Sequence, residues 1–307
     1  MQKTNKIMTN PIVIMLCALL CCALWGSATP FIKIGSALMV PNKSVASTIL
    51  FAGARFTLAG VLTILIYSVI RKKFLYPQKE NIRRVLTVSS LQTILQYIFF
   101  YIGLANTSGV KGTVISSSSA FCALLAASLV FREEKLTAKK IVACIFGFAG
   151  IILINVNGLD FNMNFFGDAF VLFSAASTAI SSVLVKRYSK YEDPVVISGY
   201  QFLFGGIIMV IIGVVFGGEI VVESTRALGV LTYLAFLSAV AYSLWSLLLK
   251  YNPVSKVTIY NFTVPVCGVI LSELMLTENS NVTLLNLIIT LVLISTGIII
   301  LNYKKEG

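Results

Sequence analysis

The sequence predicts an all-α membrane protein of ten transmembrane helices, arranged as two inverted five-helix repeats. Three observations carry that prediction. Apolar runs fill nearly the whole chain: 57% of its 307 residues are hydrophobic, only 12% are charged, and the mean hydropathy is +0.91. The remaining charges sit in short intervals between the runs, and every second interval is basic. The second half of the chain also repeats features of the first at a nearly constant offset. A soluble domain carries about a quarter charged residues, and one core cannot enclose this many runs. At roughly 20 apolar residues per crossing, the length holds about ten spans and leaves no room for a separate soluble domain. The runs are longer than the roughly 9–11 residues of a barrel strand and do not alternate with period two. Helices are therefore required, since backbone groups in lipid must be satisfied within their own segment.

Taken in order, the first span, 11–33, follows an N-terminus carrying Lys3 and Lys6. It is too long for the apolar region of a signal peptide and lacks a small-x-small cleavage site, so it is expected to stay. The second, 45–70, ends at Arg71-Lys72-Lys73 and holds Arg55 in its interior. The third, 83–104, carries Gln92, Gln96, Tyr97 and Tyr101, and the fourth, 110–131, carries Ser116 to Ser119. The fifth, 138–155, follows Lys135; the sixth, 168–187, opens at Asp168 and closes at Lys186-Arg187. The seventh and eighth are 194–217 and 227–250, the latter between Arg226 and Lys250. The ninth, 254–276, and the tenth, 283–302, complete the set before Lys304-Lys305.

Of the 24 Lys and Arg residues, one set of intervals holds only Lys33, Lys43, Lys111 and Arg226, and Arg55 lies inside a span. All the others fall in the alternate set, which places both termini in the cytoplasm by the positive-inside bias. The same bias accounts for the net charge of +12 without a nucleic-acid partner. No histidine is present, which removes the commonest general base and metal ligand. Cys17, Cys21, Cys22, Cys122, Cys144 and Cys267 all lie within apolar runs and show no metal or disulfide spacing. No cofactor is expected, and the partners are a small-molecule substrate and the lipid bilayer.

Sliding the second half over the first by about 144–147 positions aligns several features. Gly53-Ala54-Arg55-Phe56 with Gly60 meets Gly199-Tyr200-Gln201-Phe202 with Gly206, Tyr101 meets Trp245, Phe121 meets Pro265, and Glu134 meets Glu278. Each repeat holds an odd number of spans, so the second copy enters the membrane from the other side. Inverted repeats of this type frame a midplane site at their interface, and a pair of them in one chain lets a monomer suffice.

Several short motifs resemble those of the drug/metabolite transporter superfamily. They are Trp25-Gly26-Ser27 followed by Lys33, Arg55-Phe56, Phe131-Arg132-Glu133-Glu134-Lys135-Leu136-Thr137, Gly167-Asp168, and Pro265 ahead of Glu278. The resemblance covers the whole chain as two EamA-type domains, 1–157 and 158–307, and is similar to that of bacterial amino-acid and metabolite exporters. It implies a ten-helix secondary transporter of the bacterial plasma (inner) membrane. The chain departs from the pattern at Phe121, where proline is frequent, and at Arg132 and Thr277, where glycine is usual. The first span has no carboxylate of the type that the small multidrug branch uses for proton-coupled cation export.

Polar groups at lipid depth are costly unless they face the bundle interior or water, so they mark candidate substrate-binding residues. Arg55 sits about 15 Å into its span, at 1.5 Å per residue. It either attracts a carboxylate or phosphate of the substrate or braces the bundle. Gln92 and Gln96 are expected to share one face, and Tyr97 and Tyr101 a neighbouring one. With Tyr242 and Trp245 they compose an aromatic box with amide and hydroxyl groups, suited to an amino acid; interfacial belting is the alternative for the rings. Trp25 and Ser27 beside Pro30 are expected to break the first span, and Tyr260 and Asn261 before Pro265 to interrupt the ninth. Glu273 is the one acid placed for proton coupling, the others reading as span-end caps or ion pairs. Export of amino acids, aromatic or other amphipathic ones among them, is the leading expectation; a carrier or exchanger of a sugar phosphate, nucleotide sugar or drug is the alternative. A membrane-embedded enzyme would need a carboxylate pair, a histidine box or a nucleophile with a base, none of which is visible.

Overall fold

The computed structural model describes residues 6–42, 44–156, 164–276 and 283–302. Within them the chain forms ten helical spans: α1 (Pro11–Met39), α2 (Val45–Ile70), α3 (Lys79–Ala105), α4 (Gly109–Val130), α5 (Ala138–Ile154), α6 (Phe165–Tyr188), α7 (Pro194–Val215), α8 (Thr225–Tyr251), α9 (Val254–Met275) and α10 (Leu284–Asn302). Nine of these are long and apolar enough to cross a membrane by themselves. The tenth, α5, is 17 residues long, at the short end of the range that spans. The boundary between the repeats, Lys3, Lys43, Thr277, Glu278, Lys304 and Lys305 lie outside the described residues.

Local chemistry starts the spans. Asn10, Ser44, Ser108, Asn164, Asp193 and Ser224 each accept a backbone N–H of the helix that follows through a side-chain oxygen. Pro11 and Pro194 occupy the first turn, where no N–H is needed. The outer face is apolar, with Leu16, Leu20, Leu65, Ile211, Leu285 and Val292 all exposed, which suits a lipid surface rather than water.

Helix contacts repeat under an exchange of halves. α1 packs on α8 and α9, and α6, its counterpart, packs on α3 and α4. α2 crosses its own counterpart α7, and α5 pairs with α10. The α2–α7 crossing is backbone against backbone. A Cβ on Gly53 would lie 2.6 Å from the Val210 nitrogen, and one on Gly60 would lie 2.5 Å from the Leu203 nitrogen. Small residues at such a crossing replace the hydrophobic drive that lipid removes. At the α5–α10 pair the Thr290 hydroxyl donates to the Gly150 carbonyl at 3.1 Å.

Two expectations need correction. The first span ends at Met39 rather than at 33, and it is not broken: Pro30 sits inside a continuous helix. Gly26, four residues earlier and on the side where Pro30 costs a hydrogen bond, presses against the Cys267 Cβ and the Gly268 backbone of α9. That packing holds both turns in register. The breaks fall in α4 and α9 instead. α4 changes helix at Ser118, and α9 passes through a 3₁₀ turn at Ile259–Phe262, as expected for that span. Wide π turns at Ser90–Leu95 and Ala126–Val130 add an unforeseen residue to α3 and α4.

Arg132, where glycine is usual, takes a left-handed φ of 53°. Such a conformation costs an L residue about 1–2 kcal/mol and a β-branched one more. Arg132→Val should therefore melt below Arg132→Gly in detergent, and equal midpoints would contradict the strain.

Candidate functional site

At the α2–α7 crossing the repeat-related rings of Phe56 and Phe202 stack, 5.1 Å apart and 3° from parallel. Their neighbours Arg55 and Gln201 are also repeat-related but differ in charge. Gln201 is fully buried; its Oε1 accepts the Thr93 hydroxyl at 2.5 Å, and its Nε2 has no acceptor. Arg55 is 3% exposed, with its guanidinium 4.3 Å from the Phe56 ring centre and 5.7 Å from that of Tyr97. Its Nε has no acceptor, and among the described residues no carboxylate pairs with it. Ring faces and a hydrogen bond to Tyr97 offset part of the cost of burying a cation; no carboxylate among the described residues neutralises it.

Aromatic side chains extend from this pair on both sides. Tyr97 lies 4.4 Å from Phe56 and 6.1 Å from Tyr101, and its hydroxyl shares a 3.0 Å hydrogen bond with that of Tyr242. Tyr242 packs edge-on against Phe202 at 4.7 Å and Trp25 at 5.1 Å, and Trp25 in turn meets Trp245 at 4.9 Å. Gln96 comes alongside Tyr242 and keeps an unpaired Oε1, while the Trp25 Nε1 has no acceptor. Helices α1, α2, α3, α7 and α8, drawn from both repeats, thus line one polar-tipped aromatic series.

Arg55, Gln96, Tyr97, Tyr101, Tyr242, Trp245 and Trp25 come together. Other candidates do not join them. The Ser27 hydroxyl is engaged by the Leu24 carbonyl at 2.8 Å and the Tyr233 hydroxyl at 2.7 Å, a bridge between α1 and α8. Gln92 is buried on α3 without a hydrogen bond to any box residue. The Tyr260 carbonyl, freed by the 3₁₀ turn, accepts the Cys22 thiol at 3.2 Å and the Thr263 hydroxyl at 2.8 Å. Asn261 in the same turn keeps an unpaired Oδ1, as Ser116 and Ser118 at the break in α4 keep unpaired hydroxyls. Phe202 and Gln201 lie beside this series and were passed over by sequence reasoning, although the repeat offset from Phe56 and Arg55 points to them.

A cavity of about 220 Å³ lined by Val45, Thr48, Tyr101, Leu104 and Ala105 opens where α2 begins and α3 ends, away from the termini. Tyr101 is the wall it shares with the aromatic series. The end bearing the termini carries ties between helices. Arg71 pairs with Asp193, joining α2 to α7. Glu192 accepts the Gln78 N–H at 2.9 Å and the Asn81 amide at 3.2 Å, and Glu133 pairs with Arg187 at 3.1 Å and Lys190 at 3.4 Å. Glu134 joins α4 to α9 through Ser255. The opposite end has its own ties, with Lys111 on Asp168 at 2.6 Å and Asn42 on Glu219 at 3.2 Å. The acids at membrane edges are therefore caps and ion pairs. Glu273 is half-buried in the last turns of α9, far from the aromatic series in sequence and nearer its helix end than its middle.

Similarity to known proteins matches this architecture. The model of the EamA-like transporter family fits residues 12–156 and 165–303, one match per repeat. A protein of Bacillus subtilis strain 168 described as the uncharacterized transporter YvbV is 25% identical over 293 residues, covering 92% of this chain and 90% of its own. The Arabidopsis thaliana WAT1-related protein At3g02690, chloroplastic, is 30% identical over 204 residues, 62% of this chain, which spans about half (49%) of that relative's length. A solved structure described only as a crystal structure of a protein superposes with a TM-score of 0.78 at 16% identity, covering 94% of this chain and 96% of its own; the fold is shared. With a family match in both halves, this chain belongs to the EamA-like transporter family.

Proposed function

We propose that this protein exports amino acids or related small amphipathic metabolites across the bacterial plasma membrane by alternating access of two inverted repeats. The observation that carries the reading is the aromatic series with hydroxyl and amide tips, lined by helices of both repeats. Small-molecule sites are largely apolar with a few placed polar groups, and Trp25, Tyr97, Tyr242 and Trp245 with Gln96 have that composition. The odd span count of each repeat supports opposite orientations. The basic excess at the terminus-bearing end supports a cytoplasmic placement for both termini. Since the two repeats together supply the whole site, a monomer is sufficient. A cavity reaching Tyr101 from the end away from the termini supports access to the series from that side.

Purified protein screened by thermal shift against amino acids, polyamines, nucleotide sugars and quaternary-ammonium drugs, followed by flux in liposomes, tests the reading. Amino acids should raise the midpoint, and their flux should fall at least about tenfold, a difference of roughly 1.4 kcal/mol, in Trp25→Ala and Gln96→Ala. Flux of nucleotide sugars alone would replace this function with the exchange of phosphorylated solutes.

A further inference from the structure

Unpaired polar atoms in the aromatic series are mostly donors, and that bias describes a ligand. The Arg55 Nε and the Trp25 Nε1 have no acceptor, and the Tyr97–Tyr242 hydroxyl pair shares one hydrogen bond between two O–H groups, which leaves one proton to give. Against these three donors stands a single unpaired acceptor in the box, the Gln96 Oε1. Arg55 is also 3% exposed and has no carboxylate pair among the described residues. Charge is one-sided as well: the repeat-related position holds the neutral Gln201, whose Oε1 is already taken by Thr93.

We infer that the site recognises solutes bearing one carboxylate, with Arg55 as the specificity-determining residue, and that a substrate ammonium group is tolerated but not required. This rests on the transport function proposed above. One buried guanidinium with two further donors matches the two oxygens of a carboxylate. A phosphate dianion would leave net negative charge in a buried site with no second cation. No acidic side chain is among the box residues, so an ammonium group finds only the Gln96 Oε1 and the ring faces of Tyr97, Tyr242 and Trp25. The rest of the solute lies against Phe202, Trp25 and Trp245. The ligand class is the apolar monocarboxylates, amino acids among them.

A matched series decides it: phenylalanine, hydrocinnamate, phenylalanine amide and phenethylamine, measured by thermal shift on wild-type protein and by flux in liposomes. Phenylalanine and hydrocinnamate should both stabilise and cross, and the amide and the amine should do neither. Arg55→Gln should weaken both carboxylates at least about tenfold, the scale of a lost charge-assisted hydrogen bond, with Arg55→Lys keeping part of the effect. Without ligand, Arg55→Gln should melt no lower than wild type, since the buried charge it removes has no carboxylate partner among the described residues; a brace would melt lower. Phenethylamine moving as well as phenylalanine overturns the inference while transport stands, and so does failure of hydrocinnamate beside active phenylalanine. If Arg55→Gln yields no folded protein, the wild-type series alone decides. If none of these solutes nor any of the wider panel crosses, the transport reading itself falls, and this inference with it.

Discussion

Gly60→Leu should leave little correctly folded protein, and Gly206→Val should behave the same way. A Cβ at Gly60 would sit 2.5 Å from the Leu203 nitrogen and 2.8 Å from the Gly199 carbonyl oxygen. One at Gly206 would meet the Thr57 nitrogen and lie 2.9 Å from the Gly53 oxygen. These neighbours are backbone atoms, so no rotamer change relieves the clash, and the two helices must move apart. Overpacking costs about 1–3 kcal/mol where side chains can adjust, so a clash that only helix separation relieves lies at or above the top of that range. Separation would also part the Phe56–Phe202 stack and the Thr93–Gln201 bond, so stability and the candidate site fail together. Gly229 in α8 is the matched control, because a Cβ there meets nothing within 4 Å. Gly229→Ala should be neutral or gain up to about 1 kcal/mol from helix propensity. Size exclusion and thermal midpoints in one detergent compare the three variants. A Gly60→Leu protein that melts with wild type would refute the backbone-close crossing.

The same glycines show what was legible beforehand. Gly53, Gly60, Gly199 and Gly206 stood out as repeat partners, and the structure makes them one contact. Arg55, Tyr97, Tyr242, Trp25 and Trp245 were visible because a polar or amphipathic group deep in an apolar run has few reasons to be there. What such a run does not show is the partner. Ser27 looked available, yet Tyr233, 206 residues away, takes its hydroxyl, and Tyr260 contributes a carbonyl to Cys22 rather than a side chain to the site. Lys33 marked the predicted end of α1, but it is exposed on a helix that continues to Met39; a long cationic side chain near a span end can reach the interface from inside a helix. The π turns of α3 and α4 were invisible because the change to i→i+5 bonding has no residue signature. Gln92 lies within one of them and Gln96 directly after it, and only Gln96 is beside Tyr242.

Glu134→Ala should be the most destabilising single change among the acids. Its Oε1 accepts the Ser255 N–H at 3.0 Å; its Oε2 accepts the Ser255 hydroxyl and the Lys140 ammonium, both at 2.5 Å. The carboxylate thus satisfies a first-turn N–H of α9, binds the cation of α5 and fixes the end of α4. Its side chain is 9% exposed and that of Lys140 is 16% exposed, so water replaces little of what alanine removes. Breaking a buried pair from one side costs about 3–5 kcal/mol. Lys140 also donates to the Lys135 carbonyl at 2.8 Å, which brings the expected loss to about 2–3 kcal/mol. Glu134→Gln keeps an acceptor for Ser255 and should lose less. The Lys140→Ala single variant and the Glu134→Ala/Lys140→Ala pair complete a cycle whose coupling separates the ion pair from the cap. If the double variant melts well above Glu134→Ala, the ion pair holds these helices. If the two melt alike and Glu134→Gln is near wild type, the Ser255 cap does, and α9 is fastened to α4 at its first turn rather than through α5.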